Sequence, residues 1–323
     1  MARTIVITSG KGGVGKTTTT SNIGMALAQL EKKVLLLDAD VGLRNLDLLL
    51  GLENRIMYTG VDVIMGTCKL EQALIKDKRQ PNLFFCPLSS NQSKHPITKQ
   101  QLKSLIEQVD PKFDFVLIDS PAGIDAGFQT AVAFVKEAFV VVTPEVTSIR
   151  DADKVIGILS AQEIEKIQLI INRVRPDMIK SETMMSVEDI KEILGIQLIG
   201  VIPDSERVII ASNRGEPLIL EKAPSLPKIA FEDTAQRLLG KNIPFLNLEL
   251  ASSKNPVKRL FGGLLRSKKS NHGTVSLKNT EPESANKSSE NKKNKNMHSI
   301  STNRNNSDIE SNPDFEEGTN DGK

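Results

Sequence analysis

Gly10-Lys11-Gly12-Gly13-Val14-Gly15-Lys16-Thr17 decides the fold, because it fits G-x-x-x-x-G-K-[ST] and stands between the two elements that this pattern requires. Before it, Thr4-Ile5-Val6-Ile7-Thr8 is a short β-branched apolar run that reads as a buried strand. After it, Lys16 to Leu30 carries Ile23, Ala26, Leu27 and Leu30 at helical spacing. Strand, glycine loop and helix in that order form a phosphate cradle. The glycines let successive backbone N–H groups and the helix N-terminus point at one anion. Lys16 adds a charge near the β and γ oxygens, and Thr17 offers a hydroxyl to Mg²⁺. The plain alternative, a glycine turn with no ligand, lacks a reason for both flanking elements.

Outward from this loop the chain alternates. Apolar runs at Val34–Leu37, Leu83–Cys86, Phe113–Ile118, Phe139–Val142, Gln168–Ile171 and Leu198–Ile202 read as further strands. Helical periodicity is expected at Gln100–Val109, Phe128–Glu137, Asp151–Gln162, Val187–Leu194 and Leu226–Leu239. Near-continuous apolar strands imply a sheet covered on both faces. The expected class is therefore α/β, a doubly wound, mostly parallel sheet with helices on both faces. Ligands of such sheets bind beyond the carboxyl ends of the strands. Asp38-Ala39-Asp40, Asp119-Ser120-Pro121-Ala122-Gly123, Asn172-Arg173 and Pro203-Asp204 all fall at such ends. Taken alone, each could be a solvated turn or a helix cap. An acid closing a buried apolar strand, as Asp119 does, is costly without a partner, and Mg²⁺ is one.

Lys11 follows the first glycine of the loop. Lys16 already serves the phosphates of its own subunit, so Lys11 is either solvated or aimed at another molecule's nucleotide. The octapeptide is similar to the deviant Walker A motif of the ParA/MinD ATPase family. That resemblance implies a P-loop NTPase that binds ATP and Mg²⁺, hydrolyses ATP, and dimerises with ATP through Lys11. It gives Lys11, Lys16 and Asp40 catalytic roles, with Asp40 positioning the attacking water. It places nucleotide on Gly10, Lys11, Gly12, Gly13, Val14, Gly15, Lys16, Thr17 and Thr18, and the adenine on Asn172, Pro203 and Asp204. It assigns metal support to Thr17, Asp38 and Asp119. It makes the start of a helix at Ser148, Arg150, Asp151 and Asp153 a partner-binding face, with Ser148 also the expected N-cap. The implied partners are an activator of the MinE type and a division inhibitor of the MinC type, or plastid-division equivalents.

The chain has 323 residues and a net charge of +2, so no global field argues for nucleic acid. Cys68 and Cys86 form no CxxC, which argues against structural zinc or a disulfide framework. The sequence opens on its first strand with no apolar leader or Arg/Ser-rich transit stretch, and no run of 18 apolar residues occurs. The expected setting is a plastid, as a peripheral protein of its inner membrane, or a bacterial cytoplasm. The expected organisation is an ATPase domain over 1–250, a linker and amphipathic membrane-targeting segment over 251–269, and an Asn/Ser/Lys-rich tail over 270–323. Such a tail has too few apolar residues to offset chain entropy and is expected to be disordered. In the middle segment Val257, Leu260, Phe261, Leu264 and Leu265 form one apolar stripe flanked by Lys and Arg, the pattern of an interfacial helix.

Three rival readings remain at this level. A DNA-partition ATPase would call for a basic surface in place of the terminal stripe. A nitrogenase-type iron protein needs cysteines around the Asp119 segment, whereas both cysteines precede it. A membrane-recruited adaptor that binds ATP with little turnover would share the same motifs.

Overall fold

The computed structural model describes residues 1–40, 44–88 and 97–248. The expectations for 251–269 and 270–323, including the stripe from Val257 to Leu265, lie outside the described residues. Within them, eight strands form one sheet: β1 (Arg3–Thr8), β2 (Val34–Asp38), β3 (Ile75–Lys76), β4 (Leu83–Pro87), β5 (Phe115–Asp119), β6 (Glu137–Val142), β7 (Lys166–Val174) and β8 (Gln197–Pro203). The order is β3-β4-β2-β5-β1-β6-β7-β8. Every neighbouring pair is parallel except β3 with β4, where a two-residue edge strand runs antiparallel.

Eleven α-helices connect the described strands. They are α1 (Lys16–Gln29), α2 (Leu46–Leu50), α3 (Gly60–Ile64), α4 (Leu70–Ala73), α5 (Lys99–Val109), α6 (Ala126–Ala131), α7 (Val146–Ala161), α8 (Pro176–Lys180), α9 (Val187–Leu194), α10 (Glu206–Asn213) and α11 (Leu226–Leu238). They cover both faces, because the central strands are apolar at every position and alternate residues point opposite ways. Val6, Leu35, Leu37, Val116, Ile118 and Val140 join the core on one face. Ile5, Ile7, Leu36, Leu117, Phe139 and Val141 join the core on the other. Each fully buried side chain of this size is worth roughly 1.5–3 kcal/mol, which is why register at the sheet centre is firmly set.

Two expectations are corrected. The helix expected over Phe128–Glu137 ends at Ala131, Phe134 takes a left-handed φ of 66°, and Glu137 begins β6. Pairing of Glu137 with Ile5 on one side and Lys166 on the other outweighs the helical spacing. The helix expected from Asp151 begins at Val146 instead. Glu145 is then the N-cap residue, and Ser148 sits inside the first turn, where its Oγ accepts from the Thr143 N–H at 3.1 Å.

Candidate functional site

The loop between β1 and α1 is held from two sides. Gly15 caps α1 with φ 97°, and a Cβ there would lie 2.3 Å from Asn172 Nδ2. A Cβ on Gly10 would lie 2.3 Å from the Asp151 carbonyl oxygen of α7. These two approaches admit only glycine. Asn172 Nδ2 also donates to the Val14 carbonyl at 2.8 Å, so β7 braces the loop directly. Lys16 is 8 % exposed and its ammonium donates to Ser9 Oγ at 3.0 Å. Burial lowers its pKa, while the charges of Asp119 and Asp40 pull it back up.

Parallel pairing of β2 with β5 sets Asp38 directly opposite Asp119 at the carboxyl ends. Both are buried. Burial raises Asp119 to about 6 against hydrogen bonds from Thr17 and Thr20, the latter 3.0 Å from Oδ1, and the Lys16 charge. Asp38 is pushed further, to about 8, by burial and by the Asp119 charge, although the Asp40 and Leu46 N–H groups donate to it at 3.0 and 3.2 Å. Asp38 therefore ties the start of α2 to the end of β2, and Asp40 is carried on the loop between them.

A cavity of about 780 Å³ opens over this cluster. Gly12, Gly13, Gly15, Lys16, Thr17 and Thr18 line its floor, with Asp40 and Ser120 beside them. Gly10 and Val14 stand behind the floor: Gly10 packs on α7, and Val14 is buried in the core. The donor set fits Mg²⁺ with a nucleoside triphosphate. A buried ammonium wants an anion, and facing carboxylates raised chiefly by burial want a cation. Among the described residues no group of three or more His, Cys, Asp or Glu is placed to hold a metal by itself. Mg²⁺ can take a protein hydroxyl, a carboxylate and phosphate oxygens together.

The three residues expected to hold adenine stand at or just beyond the ends of β7 and β8. One Asn172 amide N–H is engaged by the loop, Pro203 is buried at the end of β8, and the Asp204 N–H donates to Val174 O at 2.9 Å. None of the three lines the cavity. Arg173 does, with a left-handed φ of 58° at an irregularity in the pairing of β7 with β8. So do Ser212, Asn213, Arg214 and Gly215 at the end of α10. Sequence reading missed α10, although Asn213-Arg214-Gly215 after an apolar run is a helix-stop signal.

Lys11 projects from the loop and is 38 % exposed at its side chain, donating to Glu145 Oε2 at 2.6 Å and Thr147 Oγ1 at 3.1 Å. Its hydrogen bond holds the Glu145 carboxyl below the usual range. Of the residues expected to meet partners, Arg150 and Asp153 are exposed and Asp151 half-buried, but Ser148 is 2 % exposed and cannot present its hydroxyl at the surface.

The family model for the CobQ/CobB/MinD/ParA nucleotide binding domain matches residues 5–218. The chain belongs to the MinD/ParA family. Within that family it is 55 % identical over 266 residues to the septum site-determining protein MinD of a Synechocystis strain, covering 81 % of this chain and 100 % of that protein. A sequence of Emiliania huxleyi described as a septum site-determining MinD is 66 % identical, covering 82 % of this chain and 98 % of its own. The MinC:MinD cell division complex of Aquifex aeolicus contains a chain 49 % identical to this one, with a TM-score of 0.70 over 76 % of this chain and 98 % of that one. MinD of Pyrococcus horikoshii, complexed with Mg-ADP, is 32 % identical with a TM-score of 0.67, over 74 % and 96 % of the two chains. As a MinD/ParA protein this chain is an ATPase of division-site determination, built on a P-loop fold.

Proposed function

We propose that this chain is an ATP-switched, dimerising ATPase that docks on an anionic membrane and regulates placement of the division septum in a plastid. A MinC-like inhibitor would be its cargo, and a MinE-like activator would trigger hydrolysis and release. The carrying observation is the pair of lysines in one loop, Lys16 buried beneath the cavity and Lys11 exposed beside it. Lys16 attracts the phosphates of its own subunit. Thr17 and Asp119, hydrogen-bonded to each other, would hold Mg²⁺, which neutralises charge on the β and γ oxygens. Asp40 orients the attacking water at the cavity edge. Lys11 rests on Glu145 and Thr147, but an exposed pair of this kind contributes only about 0–1 kcal/mol, so a second copy's nucleotide can draw it away. The MinC:MinD complex of Aquifex aeolicus supports the choice of cargo. Relatives in the algae Emiliania huxleyi and Guillardia theta support the plastid setting.

Sizing chromatography with ATP tests the switch. Lys16→Ala is expected to lose nucleotide binding. Lys11→Ala is expected to bind ATP as the wild type does, yet stay monomeric and hydrolyse slowly. A Lys11→Ala protein that dimerises normally removes the cross-subunit role.

A further inference from the structure

One wall of the cavity is built from two helix ends rather than from the P-loop. Leu48, Leu49 and Gly51 contribute from the end of α2, and Asn213, Arg214 and Gly215 from the end of α10. The two ends all but touch. A Cβ on Gly51 would lie 2.9 Å from the Gly215 carbonyl oxygen, and one on Gly215 would lie 3.0 Å from that of Leu48. Both glycines have positive φ, 59° and 64°.

A single guanidinium behind this wall bonds both ends. Arg79 Nη2 donates to Leu50 O at 2.5 Å, and Nη1 donates to Gly215 O at 3.2 Å. Leu50 O is a last-turn carbonyl of α2, which the helix itself cannot satisfy. The same guanidinium grips Asp77, with Nε 3.1 Å from Oδ1 and Nη2 2.6 Å from Oδ2, and the Arg79 N–H adds a third bond at 2.7 Å. The Asp77 side chain is 1 % exposed and follows the edge strand β3, its N–H bonded to Leu83 O.

A buried ion pair adds little net stability, since desolvation offsets attraction. Its value here is geometric. The carboxylate fixes the plane of the guanidinium fork, and the remaining N–H groups are thereby aimed at carbonyls on two separate elements.

We propose that Asp77 and Arg79 are positioning residues that hold the ends of α2 and α10 at the spacing the nucleoside needs, and so set nucleotide affinity and base selectivity. This rests on reading the cavity as the ATP site: the P-loop takes the phosphates, leaving this wall to the base and ribose. The other end of α2 is fastened independently, by Leu46 N–H on Asp38. Loosening the Arg79 end therefore leaves the reacting end in place, and the effect falls on KM rather than kcat.

The test uses the full chain with Mg²⁺ and compares Arg79→Gln, Arg79→Lys, Asp77→Asn and Gly215→Ala with wild type. Steady-state ATPase gives KM and kcat, equilibrium binding gives Kd for ADP, and GTP is run as competitor. KM and Kd are expected to rise about tenfold in all four, with kcat within about twofold and weaker preference for ATP over GTP. Arg79→Lys keeps the charge but not the fork, so it should not rescue. Gly215→Ala disturbs the same wall from the opposite side, which covers a failure of the Arg79 variants to fold. Unchanged KM and Kd overturn the proposal even if melting temperature falls, because a purely structural pair lowers stability without touching affinity. Lys16→Ala is measured alongside, and full ATP affinity in that variant would instead bring down the reading of the cavity.

Discussion

At Asp40 the chain leaves a carboxylate on the rim of the cavity while burying its neighbours Asp38 and Asp119. The three have different surroundings and so different work. Asp38 accepts two backbone N–H groups and shapes the loop. Asp119 is bonded by Thr17 and Thr20 from α1. Asp40 lines the cavity with its charge reaching both Lys16 and Asp119, and its proposed work is to orient the water that attacks a γ-phosphate. Replacing it with alanine removes that orientation and also one negative charge near the phosphates. Asp40→Ala is therefore expected to bind ATP at least as tightly as wild type, to dimerise, and to hydrolyse on the order of 100-fold more slowly. Single-turnover hydrolysis after loading with ATP measures this, and an unchanged rate takes Asp40 out of the catalytic set. Asn172 teaches a related lesson at the same scale. Its type suits a base edge, and the fold also uses one of its amide N–H groups to hold Val14, a long-range contact that no local pattern announces.

Between elements, the clearest fastening is Arg3 of β1 to Glu137 of β6, with Nη2 2.6 Å from Oε2 and Nε 2.8 Å from Oε1. Arg3 Nη1 also donates to Leu238 O at 2.6 Å, drawing α11 onto the same corner. Burial pushes the Glu137 carboxyl up, but the Arg3 hydrogen bonds and charge, with Lys166, outweigh it and hold its pKa below the ordinary 4.5. The sign follows: the ionised form is favoured by folding, so the contribution is complete above pH 4.5 and is lost as pH falls through the lower folded value. Glu137→Gln is expected to destabilise by about 1–2 kcal/mol at neutral pH, or roughly 2–6 °C in Tm, with the gap to wild type closing in acid. Thermal melts of both proteins across acid pH measure it, and a constant gap rejects the ion pair as its source. Glu137 also marks where local reading stopped working. The central strands were legible because burial on both faces forces apolar residues at every position. Helices α5 and α9 were legible because apolar residues recur along one buried face, and α1 and α11 because their apolar residues recur at helical spacing over more than three turns. Helices α2 and α10, the edge strand β3 and the early end of α6 depend on partners distant in sequence. The glycines of the loop that lines the cavity floor were therefore legible in the sequence, and the wall at Arg173 and Ser212–Gly215 was not.

The proposed function requires the whole molecule to connect a nucleotide cavity to a membrane, and no described helix is long and apolar enough to cross one. The sequence offers one means of attachment, Pro256-Val257-Lys258-Arg259-Leu260-Phe261-Gly262-Gly263-Leu264-Leu265-Arg266-Ser267-Lys268-Lys269. Its apolar residues recur at i, i+3, i+4, i+7 and i+8, its charged residues are all basic, and its two adjacent glycines each disfavour helix by about 1 kcal/mol in water. On the proposed membrane reading, lipid contact would supply the order of such a segment. Each basic residue gains roughly 1 kcal/mol at an anionic surface, against an ordering entropy of about the same size per residue, so one copy holds weakly. Under the proposed switch, two copies joined by ATP would bind as one unit at a high effective concentration, which would make attachment follow nucleotide state. Deleting 256–269, or the change Phe261→Glu, is expected to abolish co-sedimentation with anionic vesicles in ATP while leaving ATP affinity unchanged. Raised salt should weaken docking of the intact protein, because the lysine and arginine contribution is screened. Lys11→Ala, with the segment intact but the dimer lost, should sediment as weakly in ATP as wild type does in ADP. If the deletion protein sediments as well as the intact one, the segment is not the anchor and the membrane function falls with it. If Lys11→Ala sediments fully, docking is independent of the dimer and avidity is the part that fails.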